Sequence, residues 1–416
     1  MTKKVNRTMP RLWTANRQLI RAINRSTVLN IIKSEGPVSR TEIGRISGLS
    51  PATVSEITAD LIAEGLIYEK TAGDSTGGRP PILLALSQDA AYVVGLKLAE
   101  AHISAAMTDI EANILSTLTV PVTGMRIVDQ AVAALAGAVE RVIGESSVPQ
   151  ERVTGVGIGL AGVIDAEGGT CRFSPILGWR DVPLKRLVEE RIGIPVYIDN
   201  DVNTLAMAEK WFGAGQGVDD FLVVTVGRGV GLGIVVNGQF YRGTRGGGGE
   251  FGHTVLAPDG PLCDCGKRGC LEAHVADPAL VRAAREAAAQ GRLPGVDPAG
   301  LTVERVTELA QAGNEVLRGI FDQAGRALGM GIANLLNVFN PALVIVSGEG
   351  VRAGDLLFGP MREAVARCVF DGLGEDTQII IQDWGDEAWA WGAASLVLQE
   401  IYRSPIHAKG PEIELG

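Results

Sequence analysis

The sequence predicts an α/β protein in two parts, an amino-terminal winged helix-turn-helix and a two-lobed α/β body behind it. Three observations carry this expectation. A helix–glycine–helix pattern closes within residues 26–65. Two later stretches, 92–109 and 221–236, each open with apolar strand–turn–strand segments, which suggests a duplicated fold with a cleft between its halves. Glycines gather at the turns, in Gly157-Ile-Gly-Leu-Ala-Gly162, Gly227-Arg-Gly-Val-Gly-Leu-Gly233 and Gly246–Gly249. Such loops either cradle phosphate or simply turn sharply between strands. The length of 416 residues suits two or three domains, and 46% hydrophobic with 21% charged residues is a globular composition. The expected division is 1–87 for the winged helix and 88–205 for a small lobe completed by about 386–416. The large lobe, 206–385, would carry a metal loop and a dimerisation surface.

In the first part, Val28, Leu29, Ile31 and Ile32 stripe a helix that ends at Gly36-Pro37. Ser39 can cap a second helix, with Glu42 completing a capping box and Ile43 and Ile46 forming its apolar face. Gly48 supplies the turn. Ser50-Pro51 then reopens a helix as N-cap and first residue, with Val54, Ile57 and Leu61 facing inward and Gly65 ending it. Ser50, Ala52, Thr53 and Ser55 would face the major groove from its first turn. Strands over Leu66–Lys70 and Pro81–Leu86 would flank a wing carrying Arg79, suited to a phosphate or a narrow minor groove. Charge agrees: residues 1–80 hold 12 Lys and Arg against 7 Asp and Glu, whereas the remainder holds 26 against 41. A solvated basic tail would share that bias, but not the motif and the Gly-Gly-Arg wing.

Other classes recede. Met1–Arg25 has no apolar segment of the kind a secretory signal needs. Ala327–Gly348 runs 22 residues without a charge, yet Asn334, Asn337, Asn340 and Pro341 divide it into helix, turn and buried strand. A membrane protein is not expected. Five cysteines, three of them between Cys263 and Cys270, suggest a reducing, cytoplasmic setting and a metal. His253, Cys263, Cys265 and Cys270 offer one imidazole and three thiolates, a closed tetrahedral Zn²⁺ shell whose role would be structural. His253 is the expected nitrogen ligand ahead of His274, and Cys171 and Cys368 read as core thiols. Around this loop, Asn200, Asp201, Glu250, His253 and Glu272 form a set suited to sugar hydroxyls. Asn200 and Asp201 sit at the end of the apolar run Ile194–Ile198, where α/β clefts lie.

Glu250-Phe-Gly-His253 followed by Cys263-x-Cys265-Gly-x-x-Gly-Cys270-Leu-Glu272 resembles the signature of the ROK family of repressors and sugar kinases. Gly178-Trp179-Arg-Asp-Val-Pro-Leu184, Asn200-Asp201-Val-Asn203 and Gly331-Ile-Ala-Asn334 resemble further family motifs in order, so the likeness spans essentially the whole chain. The amino-terminal module is similar to that of the repressor branch, of the xylose-repressor type. The resemblance implies an actin/hexokinase-like body, a structural zinc, a sugar effector and a homodimer or dimer of dimers. It also implies sugar contacts from Asn200, Asp201, Glu250, His253 and Glu272, Asp201 being the base in kinase members.

Three departures bear on activity. Gly95-Leu-Lys-Leu-Ala-Glu100 stands where kinase members have an Asp-x-Gly-x-Thr phosphate loop, Arg228 replaces a Thr, and Ile176 replaces an Asn near the sugar. No catalytic residue is therefore expected. The reading is a sugar-responsive regulator of operator DNA; the alternative is a sugar kinase with an added DNA-binding domain.

Overall fold

Helix α1 (Arg17–Glu35) buries Val28, Leu29, Ile31 and Ile32, the stripe that the sequence marks. The computed structural model describes residues 17–71, 82–383, 385 and 387–402. Strand β1 (Val38–Ser39) leads into α2 (Arg40–Ser47), where the Ser39 hydroxyl accepts from the Glu42 amide at 3.2 Å. Glu42 spends its carboxylate on Arg45, at 2.6 Å, rather than on a return half of the capping box. Gly48 turns the chain at φ 70°, a left-handed value that favours glycine. Helix α3 (Pro51–Ala63) then buries Val54, Ile57 and Leu61. Ile46 is not part of this core. It is 43% exposed, because α3 crosses α2 on its Gly44 side, where Val54 lies next to the glycine. Strands β2 (Ile67–Thr71) and β3 (Ile82–Leu86) pair antiparallel, and β1 joins through Val38 opposite Leu84. Arg79 lies outside the described residues.

The body begins with β4 (Tyr92–Leu98), β5 (His102–Asp109) and β6 (Ile114–Pro121), followed by α4 (Val128–Ser146) and β7 (Val153–Leu160). A small antiparallel sheet of β8 (Val163–Asp165), β9 (Thr170–Ser174) and β10 (Trp179–Val182) precedes α5 (Leu184–Ile192), β11 (Val196–Asn200) and α6 (Asp201–Phe212). The chain then repeats the plan with β12 (Phe221–Val226), β13 (Val230–Val236) and β14 (Gln239–Phe240). Next come α7 (Glu272–Val275), α8 (Asp277–Ala289), α9 (Val303–Gln311) and α10 (Glu315–Phe339). Strand β15 (Leu343–Ser347), α11 (Asp355–Cys368), β16 (Gln378–Ile381) and α12 (Glu387–Tyr402) complete it.

The two large sheets run β6-β5-β4-β7-β11 and β14-β13-β12-β15-β16. Taken in chain order within each half, that is the same arrangement twice, a hairpin edge followed by parallel strands. The duplication that the two alike openings suggest is therefore present. All six residues of β12 and all five of β15 are buried, as expected for strands covered on both faces. The uncharged stretch 327–348 becomes the end of α10, a left-handed cap at Asn340 and β15. Among the described residues, no helix is long and apolar enough to cross a membrane.

The chain forms two compact units. Of the described residues, one comprises those up to Ala91 with Asp109–Glu111 and 398–402; the other comprises those within 92–108 and 112–397, both large sheets included. Within the first, the Tyr402 hydroxyl donates to the Ile110 carbonyl at 2.8 Å, and the Tyr402 carbonyl accepts from the Asn30 amide at 2.9 Å. Cys171 is a core thiol, pushed up to about 11 by burial. Cys368 corrects its expectation: it is exposed, as the last residue of α11.

Candidate functional site

A cavity of about 650 Å³ opens between the two large sheets. Asn200, Asp201, Glu250, His253 and Glu272 all line it, with the glycine turns 227–229 and 246–249 forming part of its wall. The parallel strands direct this arrangement, because loops at their carboxyl ends converge on one crevice.

Asn200 ends β11 and caps α6. Its side-chain oxygen accepts from the Val202 amide at 2.9 Å, and its nitrogen donates to the Gly162 carbonyl at 3.0 Å. Most of its hydrogen-bonding capacity thus holds the helix start, leaving one N–H for a ligand. Asp201 is the first residue of α6, and its carboxylate accepts from the Val202 amide at 3.1 Å. Burial raises the Asp201 pKa above the ordinary carboxylate value, and the Lys97 ammonium is the largest opposing influence. Desolvation at the cleft wall raises Glu250 as well, with His253 opposing. Glu272 opens α7 and accepts from the Val230 amide at 3.1 Å, which ties the metal loop to β13.

His253, Cys263, Cys265 and Cys270 bring one ligand atom each within 4.8 Å of one another. A tetrahedral zinc with bonds of about 2.3 Å to sulfur and 2.0 Å to nitrogen requires edges of roughly 3.8 Å and 3.5 Å. Cys265 Sγ lies 3.6 Å from Cys270 Sγ, and His253 Nδ1 lies 3.6 Å from Cys263 Sγ. The donor set fits. His253 Nε2 faces Glu250 at 3.9 Å, so one ring edge looks to the cysteines and the other to the cleft. His274 is not in this group; its Nε2 is buried without a hydrogen-bond partner.

Lys97 is the cleft residue that motif reasoning passed over. It is the next-to-last residue of β4, the strand leading to the altered phosphate turn, and its side chain is only 12% exposed. Its ammonium lies 3.5 Å from the centre of the Trp389 ring and 3.8 Å from Glu349. The signal was a lysine inside the apolar run Tyr92–Leu98. Arg228 lies 3.9 Å from Glu100, and Ile176 also lines the cavity.

On α3, Ser50, Ala52 and Ser55 are exposed and Thr53 is half-buried. Ser50 is the N-cap, its hydroxyl accepting from the Thr53 amide at 3.2 Å and lying 2.9 Å from the Thr53 hydroxyl. Part of the basic charge expected to serve DNA is committed elsewhere: Arg21 pairs with Asp60 at 2.6 Å, and Arg25 with Glu64.

A winged helix joined to a duplicated α/β body with a polar cleft and a Cys3His loop defines a class of two-part regulators that pair a DNA-binding module with a small-molecule site. The chain belongs to the ROK family, whose model matches residues 93–400, and a winged helix-turn-helix DNA-binding model matches residues 21–68. It is 31% identical over 399 residues to the xylose repressor of Caldicellulosiruptor bescii, covering 94% of this chain and 100% of that one. A ROK family transcriptional regulator, a homologue of the Escherichia coli Mlc protein, superposes with a TM-score of 0.82 at 27% identity, over 92% of this chain and 97% of that one. A ROK family glucokinase from Streptomyces griseus, solved with glucose and AMPPNP, has a TM-score of 0.65 and 34% identity, covering 73% of this chain and 98% of that one. The full-length likeness is thus to regulators, and the kinase likeness stops at the body.

Proposed function

We propose that this protein is a sugar-responsive transcriptional repressor that acts on operator DNA in the cytoplasm. One observation carries the reading: a winged helix with an exposed, capped first turn on α3 belongs to the same chain as a cleft lined by Asn200, Asp201, Glu250, His253 and Glu272. Carboxylates and a carboxamide around one cavity suit adjacent sugar hydroxyls. Ser50, Ala52, Thr53 and Ser55, with Arg79 of the wing that the sequence predicts, are the proposed DNA contacts. His253, Cys263, Cys265 and Cys270 would hold a zinc ion that keeps His253 and Glu272 in place, and four protein ligands would leave it no open position for chemistry. The lobes 88–205 and 206–385 would move relative to each other on sugar binding, and two copies, or a dimer of dimers, would read a palindromic operator. A pentose is the first ligand to test, because the curated relative is a xylose repressor.

The kinase alternative is less supported. Gly95–Glu100 has neither the Asp nor the Thr of a phosphate loop, and Lys97 stands there on Trp389. Binding of duplexes from the region upstream of the gene should fall steeply with salt and change with one member of a sugar panel. Salt-insensitive binding, or no duplex bound at all, would overturn the proposal.

A further inference from the structure

Asp199 is fully buried behind the cleft, and its side-chain hydrogen bonds lead to separate parts of the site. Its Oδ1 accepts from the Asn200 amide at 2.8 Å and from the Asn203 side-chain amide at 3.0 Å. Its Oδ2 accepts from Arg242 Nε at 2.6 Å. One carboxylate therefore fixes the end of β11, the first turn of α6 that carries Asp201, and the loop that follows β14.

The loop is held as tightly from the other side. The Arg242 carbonyl accepts from the Gly248 amide at 2.8 Å. At Gly246 a Cβ would fall 1.8 Å from the Ile164 carbonyl oxygen, and at Gly249 it would fall 2.3 Å from that of Leu232. Backbone approaches this close leave the segment little room, and it delivers Glu250 and His253 into the cavity.

We propose that Asp199 and Arg242 are positioning residues whose ion pair, its carboxylate fully buried, keeps the two halves of the ligand set in register, Asn200 and Asp201 from one sheet and Glu250 and His253 from the other. The inference rests on the sugar-cleft reading for its ligand. Such a pair contributes little net stability, because the Asp199 carboxylate loses its hydration while the Arg242 side chain stays 28% exposed; its best-attested gain is a fixed register. Neither residue lines the cavity, so each acts through its neighbours.

The test uses the full chain as wild type, Arg242→Met and Arg242→Lys. Hydrogen exchange without ligand should speed up in Arg242→Met at both 196–203 and 243–253, by about tenfold or more, while β12 and β15 stay protected. Arg242→Lys, which keeps the charge, should remain within about threefold of wild type. In sugar titrations, Arg242→Met should weaken binding by about tenfold or more at a temperature where it is fully folded. Loosening on one side only, or throughout the body, overturns the inference, as does wild-type affinity in folded Arg242→Met. If wild type binds no sugar in the panel, the sugar-cleft reading fails by itself, and the exchange pattern still decides whether the pair sets the register.

Discussion

In its proposed role Asp201 accepts sugar hydroxyls best as an ionised carboxylate, and burial works against that charge. Its folded pKa lies above the unfolded value, so between the two the folded state binds more protons and stability falls as pH rises through that window. At neutral pH the charge is a cost to folding. Asp201→Asn should raise the thermal midpoint by calorimetry while weakening sugar binding about tenfold, roughly 1.4 kcal/mol. Affinity in the wild type should decline on acidification through the raised pKa. Lys97 is the strongest influence favouring the ionised form, so in Lys97→Met that decline should begin at a higher pH. Lys97, the Val202 amide, Glu349 and the Asp201 amide are the charged and polar influences on Asp201, and Glu349 acts in the opposite sense to Lys97. A pH profile unchanged in Lys97→Met would disprove the link.

Two elements depend on a single local device each. The loop from His253 to Glu272 crosses a segment rich in turns; Leu256 and Leu271 tie it to the large core, whereas Cys263 and Cys270 form a small separate cluster with Ala273. Metal bonds would fix the cysteines of that small cluster. Metal analysis should return about one zinc per chain; Cys265→Ser should lose it, lower the thermal midpoint and weaken sugar binding, because His253 and Glu272 lose their anchor. Metal-free wild type with an unchanged midpoint would refute this. Helix α3 begins on the Ser50 cap, and Ser50→Ala should cost about 1 kcal/mol in denaturant unfolding of the winged-helix unit. Operator affinity should fall with it, since Ser50 is also a proposed DNA contact.

For the whole molecule, the body keeps the architecture of a sugar kinase, but its phosphate half holds a lysine on an aromatic ring. Positioned amides, hydroxyls and a metal must neutralise a phosphoryl group in transfer, and Gly95–Glu100 offers neither the carboxylate nor the hydroxyl. Coupled assays with ATP and a panel of pentoses and hexoses should therefore show no sugar-dependent ADP release. Release that disappears in Asp201→Asn would establish a kinase instead.

The sequence by itself determined the elements and named five of the residues that line the candidate cleft. Apolar periodicity marked α1, α3 and the opening strands of both halves, and capping chemistry placed Ser39 and Ser50, because these signals are local to a few residues of chain. Spacing found the Cys3His group for the same reason: three of its ligands lie within eight residues. Tertiary structure alone decided the rest. Ile46 fits the helical stripe as well as Ile43, and only the crossing of α3 over Gly44 turns it outward. Lys97 reads as one charge in an apolar strand until Trp389, nearly 300 residues away, comes to lie under it. Asp199 and Arg242 are 43 residues apart and belong to no local pattern. Their pairing exists because two sheets with one plan close on each other, and long-range contacts of that kind leave no periodic trace in the chain.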